Sequence, residues 1–182
     1  MNNPMFRDLR ADEIECRVAQ AKQGGVSLLL YKDARCDQNI LDETVGPMNW
    51  QRQHSRDNAN CTVSIWDKDK EMWVGKEDTG KESNTEAEKG LASDSFKRAC
   101  FNWGIGRELY TAPFIWVKAD DCTSLKQNGQ RWQCFDSFEV EKIVIENKQI
   151  KAVSIRNAKT GKRCFAWWDK EWQAARKEDA KQ

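Results

Sequence analysis

"LASDSFKRACFNWGIG", Leu91–Gly106, is the stretch on which the reading of the chain turns. Apolar residues at Leu91/Ala92, Phe96, Ala99/Cys100 and Trp103 recur at helical spacing and form one stripe for burial. Gly104 and Gly106 stop the pattern. Just upstream, Thr85 followed by Glu88 fits a capping box, and Glu86 and Glu88 favour the positive end of the helix dipole. The spacing predicts a helix from Glu86 to about Trp103. Lys89, Gly90, Ser93 and Lys97 fall off its buried stripe, and Arg98 stands at the margin. Taken alone, Lys97-Arg98 describes a hydrated helix edge.

Three strand-like runs precede this helix: "NWQRQHSRD", "NANCTVSIWDKD" and "KEMWVGKED". The turns between them are rich in Asp, Asn and Lys, as an antiparallel meander requires. In "CTVSIW", Cys61, Val63 and Ile65 alternate with Thr62, Ser64 and Trp66, the pattern of a half-buried sheet. Further upstream, Phe6, Leu9, Ile14, Val18 and Ala21 share one helical face, so a helix is predicted over Phe6 to Gln23, ended by "QGG". "VSLLLYK" reads as a buried strand, and Asp33 as the cap of a helix that runs to Val45 and stops at Gly46-Pro47. Beyond Pro113 the chain turns to β: "FIWVKA", "QRWQCFDSF", "VEKIVIEN", "QIKAVSIRN" and "KRCFAWW", with hairpin turns at "ENKQ" and "NAKTGK" and a short charged helix at the end. The fold class is α+β: an antiparallel β-meander packed on a long helix, a β-β-β-α core, with flanking helices and additional C-terminal strands.

A chain of 182 residues suits one domain. "VSLLLY" is far too short to cross a bilayer and no signal peptide is evident, so a soluble, cytoplasmic protein is expected. Seven cysteines stand at 16, 36, 61, 100, 122, 134 and 164, without a CxxC, and His54 is the only histidine. Reduced, mostly buried thiols and no metal or cofactor are the expectation. Net charge is +1, but Lys148–Gln182 holds ten basic and four acidic residues (+6), against 20 and 25 before it (−5). Such asymmetry is either an electrostatic footprint or a solvated tail. Nine tryptophans suit cores, interfaces and base stacking alike; Trp50, Trp66, Trp73 and Trp132 are expected to be structural.

Enzymatic readings find little. GxSxG, HExxH and GxxxxGK[ST] are all missing, and "GIGREL" is neither GxGxxG nor placed after a strand. Carboxylate pairs such as Asp67/Asp69 and Asp120/Asp121 fall in turns, where Asp is ordinary. A catalytic role, including that of a metal-dependent nuclease, has no specific support.

"GLASDSFKRACFNWGIGRELY" resembles the helix of the Rad52 family of single-strand annealing proteins, which includes phage annealing proteins and the bacterial DdrA group. The shared pattern is Asp-x-x-Lys-Arg-Ala-x-x-x-(aromatic)-Gly, read here as Asp94, Lys97, Arg98, Ala99, Trp103 and Gly104. It extends by element order and spacing over about residues 8–117. The resemblance implies an annealing core over 1–117, with C-terminal hairpins and a basic tail over 118–182 packed on the same domain. It also implies a ring-forming homo-oligomer, single-stranded DNA in a basic groove, other recombination proteins as partners, and no nucleotide hydrolysis.

On the same resemblance, Lys97 and Arg98 are the principal phosphate contacts, Lys89 is another basic position on the helix, and Arg35 lies on the opposing groove wall. Two departures stand out. A third arginine expected three residues after Arg98 is Phe101, and the loop before the helix is shorter. Among the other cations, Arg52 and Arg56 on an edge-like strand suit a groove wall and a plain exposed face equally. Arg107 is either a phosphate contact or a cation on the helix dipole. Lys76 and Lys81 read as solvated. The function expected is single-stranded DNA binding and ATP-independent annealing of complementary strands in recombination and repair. The alternatives are a coating protein that does not anneal and a Trp-rich self-associating module.

Overall fold

The computed structural model describes residues 5–81 and 87–179. It divides into two compact units: Met1–Asp8 with Asp33–Arg107, and Leu9–Lys32 with Glu108–Gln182. Three α-helices and mostly antiparallel sheets among the described residues make the chain α+β.

The N-terminal segment corrects the sequence reading. In place of a helix over Phe6 to Gln23, a 3-10 turn at Ala11–Glu13 leads into strand β1 (Glu15–Lys22). β1 pairs antiparallel with β2 (Gly25–Tyr31), Lys22 opposite Gly25. The polar/apolar alternation Glu15-Cys16-Arg17-Val18 obeys period 2 as well as the longer set obeys 3.6, and the buried run of β2 offers a partner that settles the contest. "QGG" is thus a hairpin turn. Gly25 has φ 145°, and a Cβ there would meet the Val117 carbonyl oxygen at 2.1 Å, so only glycine fits.

The first unit carries α1 (Ala34–Val45). The Asp33 carboxylate caps it by accepting from the Cys36 N–H at 2.8 Å, and Gly46, at φ 87°, closes it. The expected meander follows as β3 (Trp50–Ser55), β4 (Asn60–Asp67) and β5 (Met72–Thr79), with β4 in the middle. Register places Arg52, Val63 and Lys76 in one cross-strand row, beside the row of Trp50, Ile65 and Val74.

α2 (Ala87–Trp103) packs on β4 and β5, burying Phe96, Ala99 and Cys100 completely beside Cys61 and Val63. The middle of the expected stripe is buried, Leu91, Ala92 and Trp103 are half-buried, and the helix stops at Gly104 (φ 101°). Thr85 of the capping box and Glu86 lie outside the described residues, as does the side chain of Glu88. Gly80 lets β5 leave along the helix: a Cβ there would meet Ser95 N at 2.6 Å and Leu91 O at 2.8 Å. Ser95, fully buried, directs its Oγ to the Asn58 carbonyl at 3.0 Å and so ties α2 to the β3–β4 turn.

The second unit is built on a six-stranded sheet. β6 (Ile115–Lys118), β9 (Phe138–Glu146), β10 (Gln149–Asn157) and β11 (Arg163–Trp168) join β1 and β2 in the order β11-β10-β9-β1-β2-β6. Between β6 and β9 a small hairpin forms from β7 (Lys126–Asn128) and β8 (Arg131–Gln133). The edge strands β6 and β11 approach each other, which curls the sheet around Val26, Leu28, Val117, Ile150 and Ile155. Asn147 and Lys148, at φ 52° and 60°, form the tight β9–β10 turn read from "ENKQ". α3 (Lys170–Asp179) ends the described chain. Among the described residues no helix is long and apolar enough to cross a membrane.

Candidate nucleic-acid interface

On α2, successive residues diverge by about 100°, so Lys97 and Arg98 leave the helix in different directions. Both are half-buried. Arg98 turns back one helical turn and donates from Nε to Asp94 Oδ2 at 2.8 Å. The same carboxylate oxygen accepts the Lys81 N–H at 2.9 Å, fastening the segment after β5 to the helix. Burial opposes the charge on Asp94. The hydrogen bonds from Arg98 and Lys81, with the charges of Arg98 and Lys97, nevertheless hold its carboxyl below the ordinary range. Asp94 therefore shapes the helix edge, and Lys97 has no ion-pair partner among the described residues.

Three aromatic side chains of α2 each carry a cation. The Arg52 guanidinium lies 4.9 Å from the Phe96 ring centroid, and Trp50 stacks on the same ring at 6.1 Å. Lys76 Nζ sits 4.4 Å from the Trp103 ring and donates to the Asn102 carbonyl at 2.9 Å. Arg107 lies 5.5 Å from the Phe101 ring and donates to the Phe101 and Asn102 carbonyls at 2.9 Å each. Lys76 and Arg107 thus meet at the Asn102 carbonyl, and Arg107 adds a second bond to the Phe101 carbonyl that also takes the Gly104 N–H, at the helix end whose dipole favours cations. Of the two readings of Arg107, its contacts are those of the helix-end cation, and its exposed guanidinium remains accessible. Phe101, where the resemblance implies a third arginine, has a cation on its ring instead.

An open cleft of about 840 Å³ runs past this helix end, lined by Lys68, Lys70, Lys76, Arg107, Trp66 and Trp103 among others, with Asp67 and Asp69 also on its wall. Sequence reasoning missed Lys68 and Lys70 and set Lys76 aside as solvated. The β4–β5 register, which brings Lys76 opposite Val63, is the signal that places it on the helix side. Trp66 and Trp73 pair edge-to-face at 5.5 Å, leaving Trp73 exposed on β5.

The remaining expected residues scatter. Arg52 is on the edge strand β3 and faces α2. Arg56 is not on that strand: with φ 51° it opens the β3–β4 turn, and it is exposed. Arg35, in the first turn of α1, pairs with Asp33 at 2.9 Å. Lys89 falls near the start of α2, its side chain outside the described residues. The structure gathers Arg52 and Arg107, with Lys76, onto the rings of α2, and it sets Arg35 and Arg56 on other elements. In the second unit the basic C-terminal stretch is largely paired: Arg156 with Glu139 at 2.8 Å, Arg163 with Glu141 at 2.6 Å, Lys151 with Asp169 at 3.4 Å and Arg176 with Glu146 at 3.8 Å.

Against known proteins, the chain is 34% identical over 96 residues to the single-stranded DNA-binding protein DdrA of Deinococcus radiodurans. The match covers 52% of this chain and 46% of that relative, so the chain spans about half of the relative's length. No family model matches. No solved structure matches either.

Proposed function

We propose that the chain binds single-stranded DNA through its phosphates, along the cationic side of α2. One observation carries this reading: a protein named for single-stranded DNA binding shares 34% identity with it over 96 residues. The arrangement of cations supports this reading. Lys97 stands without an ion-pair partner among the described residues, and Arg52, Lys76 and Arg107 rest on rings and carbonyls rather than on carboxylates. Phosphates are the natural partners for such groups, because each contact releases a counterion from the strand. Exposed aromatic faces stack bases without reading their sequence.

The finer proposal is that the chain anneals complementary strands as a ring-forming homo-oligomer. It would act with other recombination proteins in the cytoplasm of a bacterial or phage-infected cell, without nucleotide hydrolysis and without catalysis of its own. Annealing needs the backbone held and the bases left accessible, which phosphate contacts provide.

Fluorescence anisotropy with a labelled oligonucleotide tests the binding. Lys97→Ala with Arg98→Ala weakens it and flattens its salt dependence, while oligomer size by sedimentation is unchanged. Asp94→Asn, which removes the carboxylate charge beside Arg98 but keeps both cations, retains binding. Unaltered affinity in the double variant refutes the assignment. Mixing complementary oligonucleotides tests annealing: protection of each strand without faster duplex formation makes the protein a coating protein instead.

A further inference from the structure

The seven cysteines divide between the two units. Cys36, Cys61 and Cys100 are buried in the first. In the second, Cys122 and Cys134 converge with Asp136, their two sulfurs and a carboxylate oxygen all within 4.8 Å of one another. The sequence hides this because no CxxC is involved. Cys122 follows the turn after β6, and Cys134 follows β8, so the β7–β8 hairpin folds the two back together.

The surroundings of the cluster are those of a ligand set. The Asp136 carboxylate is oriented by neutral donors: the Thr123 N–H, Thr123 Oγ1 at 2.7 Å, Asn157 Nδ2 at 3.1 Å and the Ser124 hydroxyl. No cation pairs with it among the described residues, although Arg156 and Arg163 in the same unit are matched to Glu139 and Glu141. Ser124 Oγ lies 3.8 Å from Cys134 Sγ and accepts the Phe135 N–H at 2.8 Å, fixing the loop that bears both Cys134 and Asp136. Outer contacts of this kind orient metal ligands. All three groups are half-buried, leaving an ion a way in.

We propose that Cys122, Cys134 and Asp136 hold a zinc-class divalent cation, with water in the fourth position. Two sulfurs select a borderline-soft ion over calcium or magnesium, which take oxygen ligands. On binding, each thiol releases its proton to solvent as its sulfur–metal bond forms. Two protons leave, and no electron is transferred. The ion clips the loop from Cys122 to Cys134 and anchors the β7–β8 hairpin. The site lies in the second unit and is independent of the nucleic-acid reading, so either idea survives failure of the other.

Titration of the reduced, metal-free full chain with Co²⁺ tests it. One equivalent should give a thiolate-to-cobalt charge-transfer band, and added Zn²⁺ should displace it. Cys122→Ser and Cys134→Ser lose the band, Asp136→Asn weakens cobalt binding about tenfold or more, and Cys36→Ala leaves it intact. Should the serine variants fail to fold, alkylation mapped by mass spectrometry on the unaltered chain decides, since Zn²⁺ should shield Cys122 and Cys134 together. No band, a band unchanged in both serine variants, or equal alkylation with and without Zn²⁺ overturns the site. So does a Cys122–Cys134 disulfide that forms in place of metal uptake.

Discussion

In the unit built on α2, three cations beside the helix rest on rings and carbonyls, next to carboxylate pairs such as Arg98 with Asp94 and Arg35 with Asp33; in the six-stranded unit four basic residues of the C-terminal stretch are matched to carboxylates. Arg52, Lys76 and Arg107 each lie over an aromatic ring of α2. Arg156, Arg163, Lys151 and Arg176 each meet an Asp or Glu within 4.0 Å. The formal charges run the other way, +6 from Lys148 onward and −5 before it. A count along the chain therefore misplaces the unmatched cations, because folding brings Glu139 and Glu141 of β9 to Arg156 of β10 and Arg163 of β11. What a charge can bind depends on what it already touches.

The largest test of that contrast is mechanical. Phe96 is fully buried, stacks on Trp50 and carries Arg52. Phe96→Ala should cost about 3–5 kcal/mol in urea unfolding and release Arg52 from its position. A cost under about 1 kcal/mol would mean that α2 is not the rigid mount for these cations.

Next comes a paired charge reversal. Lys97→Glu should weaken single-stranded DNA binding about tenfold or more and lower the salt slope by about 1. Arg163→Glu, which breaks a pair with Glu141, should leave affinity within about twofold. Equal losses in the two variants would erase the distinction between the units.

Much of this was legible before the structure. The Asp33 cap, the meander, and the stripe of Phe96, Ala99 and Cys100 follow from local chemistry and periodicity, and each is present. Residues 6–23 read as a helix because Ile14, Val18 and Ala21 keep helical spacing, while Cys16 and Val18 keep the alternation of a strand, and only pairing with β2 distinguishes the two. The Lys97-Arg98 motif was visible, but the commitment of Arg98 to Asp94 follows from a rotamer and not from the motif. Lys76 was set aside because its role depends on cross-strand register and on the path of α2. Cys122 and Cys134 met only through a hairpin that "QRWQCFDSF" did not announce. Local chemistry marks the elements, whereas partners across strands come from topology.

A smaller effect concerns the end of α2. Lys76→Ala and Arg107→Ala each remove a cation from the carbonyls of the last turn, and each should cost about 0.3–1 kcal/mol in urea unfolding at low salt. The loss should be less in high salt, since these groups are exposed. A cost independent of salt would assign their stabilisation to ring packing alone.

The smallest effect separates the two kinds of pairing by pH. Hydrogen bonds from Arg163, then one from Ser154, hold the Glu141 carboxyl down at about 2, against an ordinary 4.5. Because the folded value lies below the unfolded one, the pair stabilises above about 4.5 and its contribution fades as pH falls toward about 2. The difference in melting temperature between the unaltered chain and Arg163→Ala should accordingly be present near neutrality, shrink below about 4.5 and be lost as pH falls through about 2. The corresponding difference for Lys76→Ala should persist through that range, because the partners of Lys76, the Asn102 carbonyl and the Trp103 ring, do not titrate. If both differences collapse together in acid, carboxylates govern the first unit as they do the second, and the contrast between rings and carboxylates fails.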